Sequence, residues 1–83
     1  MADTNSVAIV TGHSSGLGKS LARRLLESSW NVVGVSRSST PHDLANRFPQ
    51  QLTEVHGNVA QDSTAEAAFN QARQLGVVRL VVN

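Results

Sequence analysis

Three glycines, Gly12, Gly16 and Gly18, mark the junction between an apolar β-branched run, Val7–Thr11, and an amphipathic segment beginning near Leu17. A strand, a glycine turn and a helix start in that order make an anion site. Free backbone N–H groups and the positive end of the helix dipole point at one spot. Gly12 lets the chain turn off the strand, Gly16 lets the backbone approach a diphosphate, and Gly18 lets the helix sit against the strand. Ser14 and Ser15 add hydroxyl donors. The spacing is G-x-x-x-G-x-G, not the G-x-G-x-x-G of the standard dinucleotide fingerprint. Gly18-Lys19-Ser20 matches the end of a P-loop, G-x-x-x-x-G-K-S/T, but that motif needs its first glycine at position 13, where His13 stands. No strand ends in the aspartate that a P-loop enzyme places near magnesium. The nucleotide triphosphatase reading is therefore the weaker one, and Lys19 is expected to be a surface lysine.

The second informative point is the end of the next apolar run, Val32–Ser36. In a dinucleotide site this strand end meets the adenosine ribose. A carboxylate there accepts hydrogen bonds from the ribose hydroxyls and repels a 2′-phosphate. The residues present are Ser36, Arg37 and Ser38, with no carboxylate. A guanidinium pairs with a 2′-phosphate in a charge-assisted contact of about 1.5–3 kcal/mol. The expected cofactor is NADP(H) in preference to NAD(H).

Other chemistry is thinly represented. There is no cysteine, which excludes disulfides, thiolate catalysis and cysteine zinc sites. His13, His42 and His56 lack ligand spacing, so they are expected to be surface or loop residues, and no metal site is expected.

The elements that must position these residues follow from periodicity. Val7–Thr11 is apolar on both faces, as a buried parallel strand is. From Leu17 to Glu27, Leu17, Leu21, Ala22, Leu25 and Leu26 recur at helical spacing as one stripe. Val32–Ser36 is the second strand. Thr40-Pro41-His42-Asp43 is a helix start, Leu44, Ala45 and Phe48 give that helix an apolar face, and Pro49 closes it. Leu52–His56 alternates like a strand near a sheet edge. Asp62 or Ser63 is expected to cap a third helix lined by Ala65, Ala68, Phe69, Ala72 and Leu75, with Gly76 as its left-handed cap. Val77–Val82 is the fourth strand. The β-α-β-α-β-α-β order predicts a single α/β unit over residues 1–83 with a parallel sheet and right-handed crossovers.

Composition agrees with a globular α/β protein: 40% of residues are hydrophobic and 16% charged. The formal net charge of +1 gives no field directed at nucleic acid or membrane. The polar N-terminus and the short run Val7–Val10 give neither a signal peptide nor a span, so a cytoplasmic location is expected. The chain stops within the apolar run Leu80-Val81-Val82-Asn83, which reads as a partial chain.

Taken together, these motifs resemble the short-chain dehydrogenase/reductase family over essentially the whole chain. Thr11-Gly12-His13-Ser14-Ser15-Gly16-Leu17-Gly18 is similar to its T-G-x-x-x-G-I/L-G loop, and Ser36-Arg37 to the strand end of its NADP-preferring members. Asn58-Val59 stands where the family usually has Asp-Val facing the adenine. Leu80-Val81-Val82-Asn83 is similar to the start of its L-V-x-N-N-A-G segment, whose first asparagine borders the cofactor ribose. Ser29 departs from a frequent glycine; a positive φ there would cost about 1 kcal/mol. The resemblance implies a Rossmann-type sheet of strand order 3-2-1-4, the front half of a doubly wound fold. It implies cofactor contacts from Gly12, Ser14, Ser15, Gly16, Leu17, Gly18, Ser36, Arg37, Ser38, Asn58, Val59 and Asn83. It also implies hydride transfer between NADP(H) and a small carbonyl or alcohol. The chain holds no tyrosine for the family's Tyr-x-x-x-Lys pair, and the resemblance places that lysine and the catalytic serine well beyond residue 83.

Two functions follow: the cofactor-binding part of an NADP-dependent reductase, or a stand-alone nucleotide-binding or non-catalytic fragment. In either, the last strand is an apolar edge able to template self-association. The isolated chain is expected to associate with rising concentration in sedimentation velocity; a monodisperse monomer with a sharp two-state melt contradicts this.

Overall fold

Strand and helix alternate along the chain in the computed structural model, which describes residues 6–13, 16–37, 43–58 and 60–82. The elements are β1 (Ser6–Thr11), α1 (Gly16–Glu27), β2 (Asn31–Ser36), α2 (Asp43–Arg47), β3 (Leu52–His56), α3 (Asp62–Leu75) and β4 (Val77–Val82). All strand pairs are parallel, in the order β3-β2-β1-β4. This is the Rossmann-type arrangement and strand order expected. The expectations on Ser14, Ser15, Ser38, Thr40, Pro41, His42, Val59 and Asn83 lie outside the described residues.

The topology follows from two crossover directions. From β1 to β2 to β3 the chain moves one way across the sheet; from β3 it returns past β1 to β4. Right-handed crossovers running in opposite directions put their helices on opposite faces. Accordingly, Ala8, Val10, Val32 and Leu52 pack with Ala22 and Leu26 of α1 and Leu44 of α2. Val7, Ile9, Val33 and Val35 pack with Ala68 and Ala72 of α3. Alternate residues of β1 and β2 thus serve two cores, which is why both strands read as continuous apolar runs.

Helix details differ from the sequence reading in four places. The sheet-facing line of α1 is Gly18, Ala22 and Leu26, four residues apart, and Leu17 is 86% exposed. A glycine, not a leucine, occupies the first contact position. On α3, Thr64, Ala68 and Ala72 form the buried line, and Phe69 is 41% exposed at its flank. Small residues let α3 lie close to the sheet, and Phe69 instead borders an apolar cavity of about 130 Å³ between α3 and the sheet, lined also by Ile9, Val35, Ala68 and Val81. The N-cap of α3 is Gln61, with no side-chain cap hydrogen bond, while Asp62 lies in the first turn, where its charge suits the dipole. Gly76 is extended (φ 161°, ψ −144°), not left-handed, because β4 begins at the next residue.

The end of α1 takes the form of a Schellman motif. Trp30 N–H donates to Leu25 O at 3.0 Å and Ser29 N–H to Leu26 O at 3.1 Å. Leu25 and Trp30 both pack against the same core. Gln51 Nε2 adds donors to Leu26 O and Trp30 O at 3.3 and 3.4 Å, tying the start of β3 to this turn. The motif requires a left-handed residue, and Ser29 fills that position with φ 70°. Ser29→Gly should therefore raise stability by about 1 kcal/mol, read as a higher urea midpoint at constant m; an unchanged or lower midpoint contradicts strain at this residue.

Candidate functional site

The glycine loop sits at the carboxyl end of β1, where the crossover direction reverses between β1 and β4. In open parallel sheets this switch point leaves a crevice for ligands. Gly12 turns the chain with φ 70°, and Gly16 opens α1 with φ 60°. At neither does any atom lie within 4 Å of where a side chain would begin, so both face open space. Gly18 is the opposite case: a Cβ there would lie 2.2 Å from the Gly12 carbonyl oxygen. The helix start is pressed onto the loop backbone, and its N–H groups face the opening. No acidic residue lies between Thr11 and Ser20. Two left-handed glycines that face open space at a helix start, with no acidic residue in the segment, fit a diphosphate.

Backbone bonds lash the strand ends together around this loop. Gly12 N–H donates to Val35 O at 2.8 Å, tying the loop to the end of β2. Gly57 N–H donates to Ser36 O at 2.9 Å, tying the end of β3 to the same place. Thr11 Oγ1 donates to Val82 O at 3.3 Å across to β4. Of the expected site residues, Gly12, Gly16, Leu17, Gly18, Ser36, Arg37 and Asn58 are described, and all lie at this one edge of the sheet. Arg37 follows Ser36 and is exposed, as is Leu17 beside the loop. Asn58 makes the turn into α3: its Oδ1 accepts from Ala60 N–H at 2.9 Å and its carbonyl from Gln61 N–H at 2.9 Å.

Two charged contacts connect the surrounding helices. Lys19 Nζ lies 2.6 Å from Asp43 Oδ1, joining the first turns of α1 and α2. The hydrogen bond from Lys19 holds the Asp43 carboxyl below its usual range. This pair is stabilising at neutral pH and is lost as pH falls through the lowered value. Arg47 and Glu27 approach at 3.4 Å on the surface. Lys19, expected at the surface, is thus tied to α2 by an ion pair and is partly buried there.

His13 is the residue that the sequence reading misplaced. It lies in the loop but is fully buried, not on the surface. Its Nε2 is 2.6 Å from Glu54 Oε2 on β3. The sequence signal for it is Gly34, a glycine inside an otherwise β-branched strand. A Cβ at Gly34 would lie 2.4 Å from His13 Cγ, so the imidazole occupies the place of a side chain on β2. His56 is exposed, and no group of three or more His, Asp or Glu residues able to hold a metal occurs among the described residues. No helix among them is long and apolar enough to cross a membrane.

Comparison with known proteins places this geometry. A family model described as short chain dehydrogenase matches residues 6–83. L-xylo-3-hexulose reductase of Hypocrea jecorina is 36% identical over 62 residues, covering 75% of this chain and 20% of that protein. The 3-ketoacyl-(acyl-carrier-protein) reductase of Brucella melitensis, solved with NADH, superposes with TM-score 0.79 at 26% identity, over 92% of this chain and 32% of that one. L-sorbose reductase of Gluconobacter frateurii, solved with NADPH and L-sorbose, gives 0.75 at 28%, over 93% and 32%. The chain spans between 14% and 20% of the curated relatives it matches.

The glycines of the loop are therefore not equivalent. Gly18→Ala drives a methyl into a carbonyl and should cost about 1–3 kcal/mol, whereas Gly16→Ala meets only the left-handed backbone and should cost about 1 kcal/mol. Thermal or denaturant melts of the two variants check the ranking, and the reverse order contradicts the packing described.

Proposed function

The chain belongs to the short-chain dehydrogenase family of oxidoreductases, and on that premise we propose that it is the NADP(H)-binding part of a reductase acting on a small carbonyl or alcohol. The open left-handed glycines ahead of α1 carry this reading. Gly12, Ser14, Ser15, Gly16 and Gly18 would hold the diphosphate through backbone N–H groups and hydroxyls. Leu17, apolar and exposed beside them, would lie against the dinucleotide. Ser36, Arg37 and Ser38 would take the adenosine ribose with its 2′-phosphate. Asn58 and Val59 would border the adenine, with the Asn58 NH2 as a donor in place of the family's carboxylate, and Asn83 would border the ribose on the β4 side. NADPH supplies the hydride in such a reaction.

The preference for the phosphorylated cofactor rests on Arg37. Solved relatives include an NADH complex and an NADPH complex, so the shared fold accommodates both. A guanidinium at the exposed end of β2, with no carboxylate beside it, favours the 2′-phosphate electrostatically and sterically. No tyrosine is present to donate a proton to a carbonyl, so these 83 residues are proposed to bind cofactor without turning over substrate.

Titration with NADP⁺ and NAD⁺ tests both points. Saturable binding without oxidation of NADPH by a carbonyl panel is expected. Arg37→Ala should erase a preference of about tenfold to a hundredfold for NADP⁺, the equivalent of about 1.5–3 kcal/mol, while leaving NAD⁺ affinity nearly unchanged. Equal affinity for the two cofactors before mutation refutes the role of Arg37; turnover by the 83 residues alone refutes the division of labour.

A further inference from the structure

The imidazole of His13 has no part in the cofactor contacts proposed above, yet it is buried at the root of the loop that makes them. The chain leaves β1 at Thr11, turns at Gly12 and sends the next side chain inward across the sheet. Gly34 lies between Val10 of β1 and Glu54 of β3 in the strand register. Its missing side chain is the gap through which the ring passes: a Cβ there would stand 2.4 Å from Cγ and 2.5 Å from Cδ2 and Nδ1 of His13. Beyond that gap Nε2 meets Glu54 Oε2 at 2.6 Å, with the histidine fully buried and the carboxylate side chain 25% exposed. The contact joins residues 41 positions apart.

We propose that His13 and Glu54 form a strut that sets the glycine loop for the dinucleotide, making both positioning residues for cofactor binding; this rests on the reading of the loop given under Proposed function. A polar ring is costly to bury unless it is hydrogen-bonded, and a charge-assisted bond of this length is a strong, directional one. The strut holds the residue that follows Gly12, and so holds the start of the left-handed turn by which the chain leaves β1. With the Gly12 N–H bond to Val35 O, it fixes the loop to both β2 and β3 before any ligand arrives. A loop already ordered loses less entropy on binding, so the strut adds affinity without touching the ligand. The strut acts on the diphosphate cradle and not on the 2′-phosphate, so it serves every adenine dinucleotide alike.

The test is calorimetric titration of the full chain and its variants with NADP⁺, NAD⁺ and ADP. His13→Ala should weaken all three by a similar factor, about tenfold, leaving the NADP⁺ to NAD⁺ ratio unchanged. Glu54→Gln, isosteric and conservative in packing, should weaken all three in the same sense. His13→Gln, which keeps a donor near the Nε2 position, should restore most of the affinity. The double variant His13→Ala/Glu54→Gln should bind no more weakly than the worse single variant. Gly34→Ala should reproduce the loss by forcing the ring out. Should His13→Ala fail to fold, Glu54→Gln and His13→Gln decide the matter. Unchanged affinity in Glu54→Gln, additive losses in the double variant, or a shifted cofactor ratio overturns the strut while the unmutated chain still binds. Failure of the unmutated chain to bind any of the three ligands overturns the loop reading itself, and the strut with it.

Discussion

The backbone of α1 touches the backbone of the loop that precedes it, at Gly18 against the Gly12 carbonyl, and the rest of the site depends on that contact. With a side chain at position 18 the helix start would stand away from β1. The same closeness sets the depth of α1 on the sheet, because Gly18, Ala22 and Leu26 form one line along the helix. Ala22 and Leu26 are buried against Ala8, Val10 and Val32 because a glycine at the head of the line lets the helix approach. One steric allowance therefore serves both the core and the anion cradle.

A second constraint binds the strand ends. Parallel strands joined by helices have no hairpins to hold their carboxyl ends in register, so the loops must do it. Gly12 N–H on Val35 O, Gly57 N–H on Ser36 O and Thr11 Oγ1 on Val82 O each bridge two strands at that edge. The residues proposed to meet the diphosphate, the ribose and the adenine come from three different loops, yet each loop is tied to its neighbour through the strand it leaves. The position of Arg37 relative to Gly12 is thus tied to the backbone bond between Gly12 N–H and Val35 O.

Much of this was legible in the sequence, and the failures share one cause. The strands could be read because burial on both faces leaves runs such as Val7–Val10 and Val32–Val35, interrupted only by Gly34. The glycine loop could be read because each of its glycines answers a separate backbone requirement, and the family resemblance supplied the strand order and marked Ser29 as a position of interest. Periodicity misplaced Leu17 and Phe69 because it counts hydrophobicity and not size: the buried lines of α1 and α3 are made of Gly18, Ala22, Thr64, Ala68 and Ala72, which let helices approach. Gly76 was misread because glycine is permissive, and its extended conformation is dictated by the strand that begins beside it. His13 was hidden because its partner lies 41 residues away, and only the gap at Gly34 pointed to something crossing β2.

In the proposed reading, affinity and selectivity rest on different parts of the molecule. Everything that fixes the loop (Gly18 on Gly12, the bond to Val35 O, His13 on Glu54) is indifferent to whether the ribose carries a phosphate. Solved relatives of this fold hold NADH in one case and NADPH in another, in keeping with a choice made outside the proposed diphosphate cradle. The exposed end of β2 is where such a choice is cheap to make. A residue there contacts no core, so exchanging a carboxylate for the guanidinium of Arg37 alters the field at the ribose without disturbing the packing beneath. Position 13 is the reverse case: buried against β2 and bonded to β3, it is bound to the architecture, and its proposed role is in how firmly a nucleotide is held and not in which one.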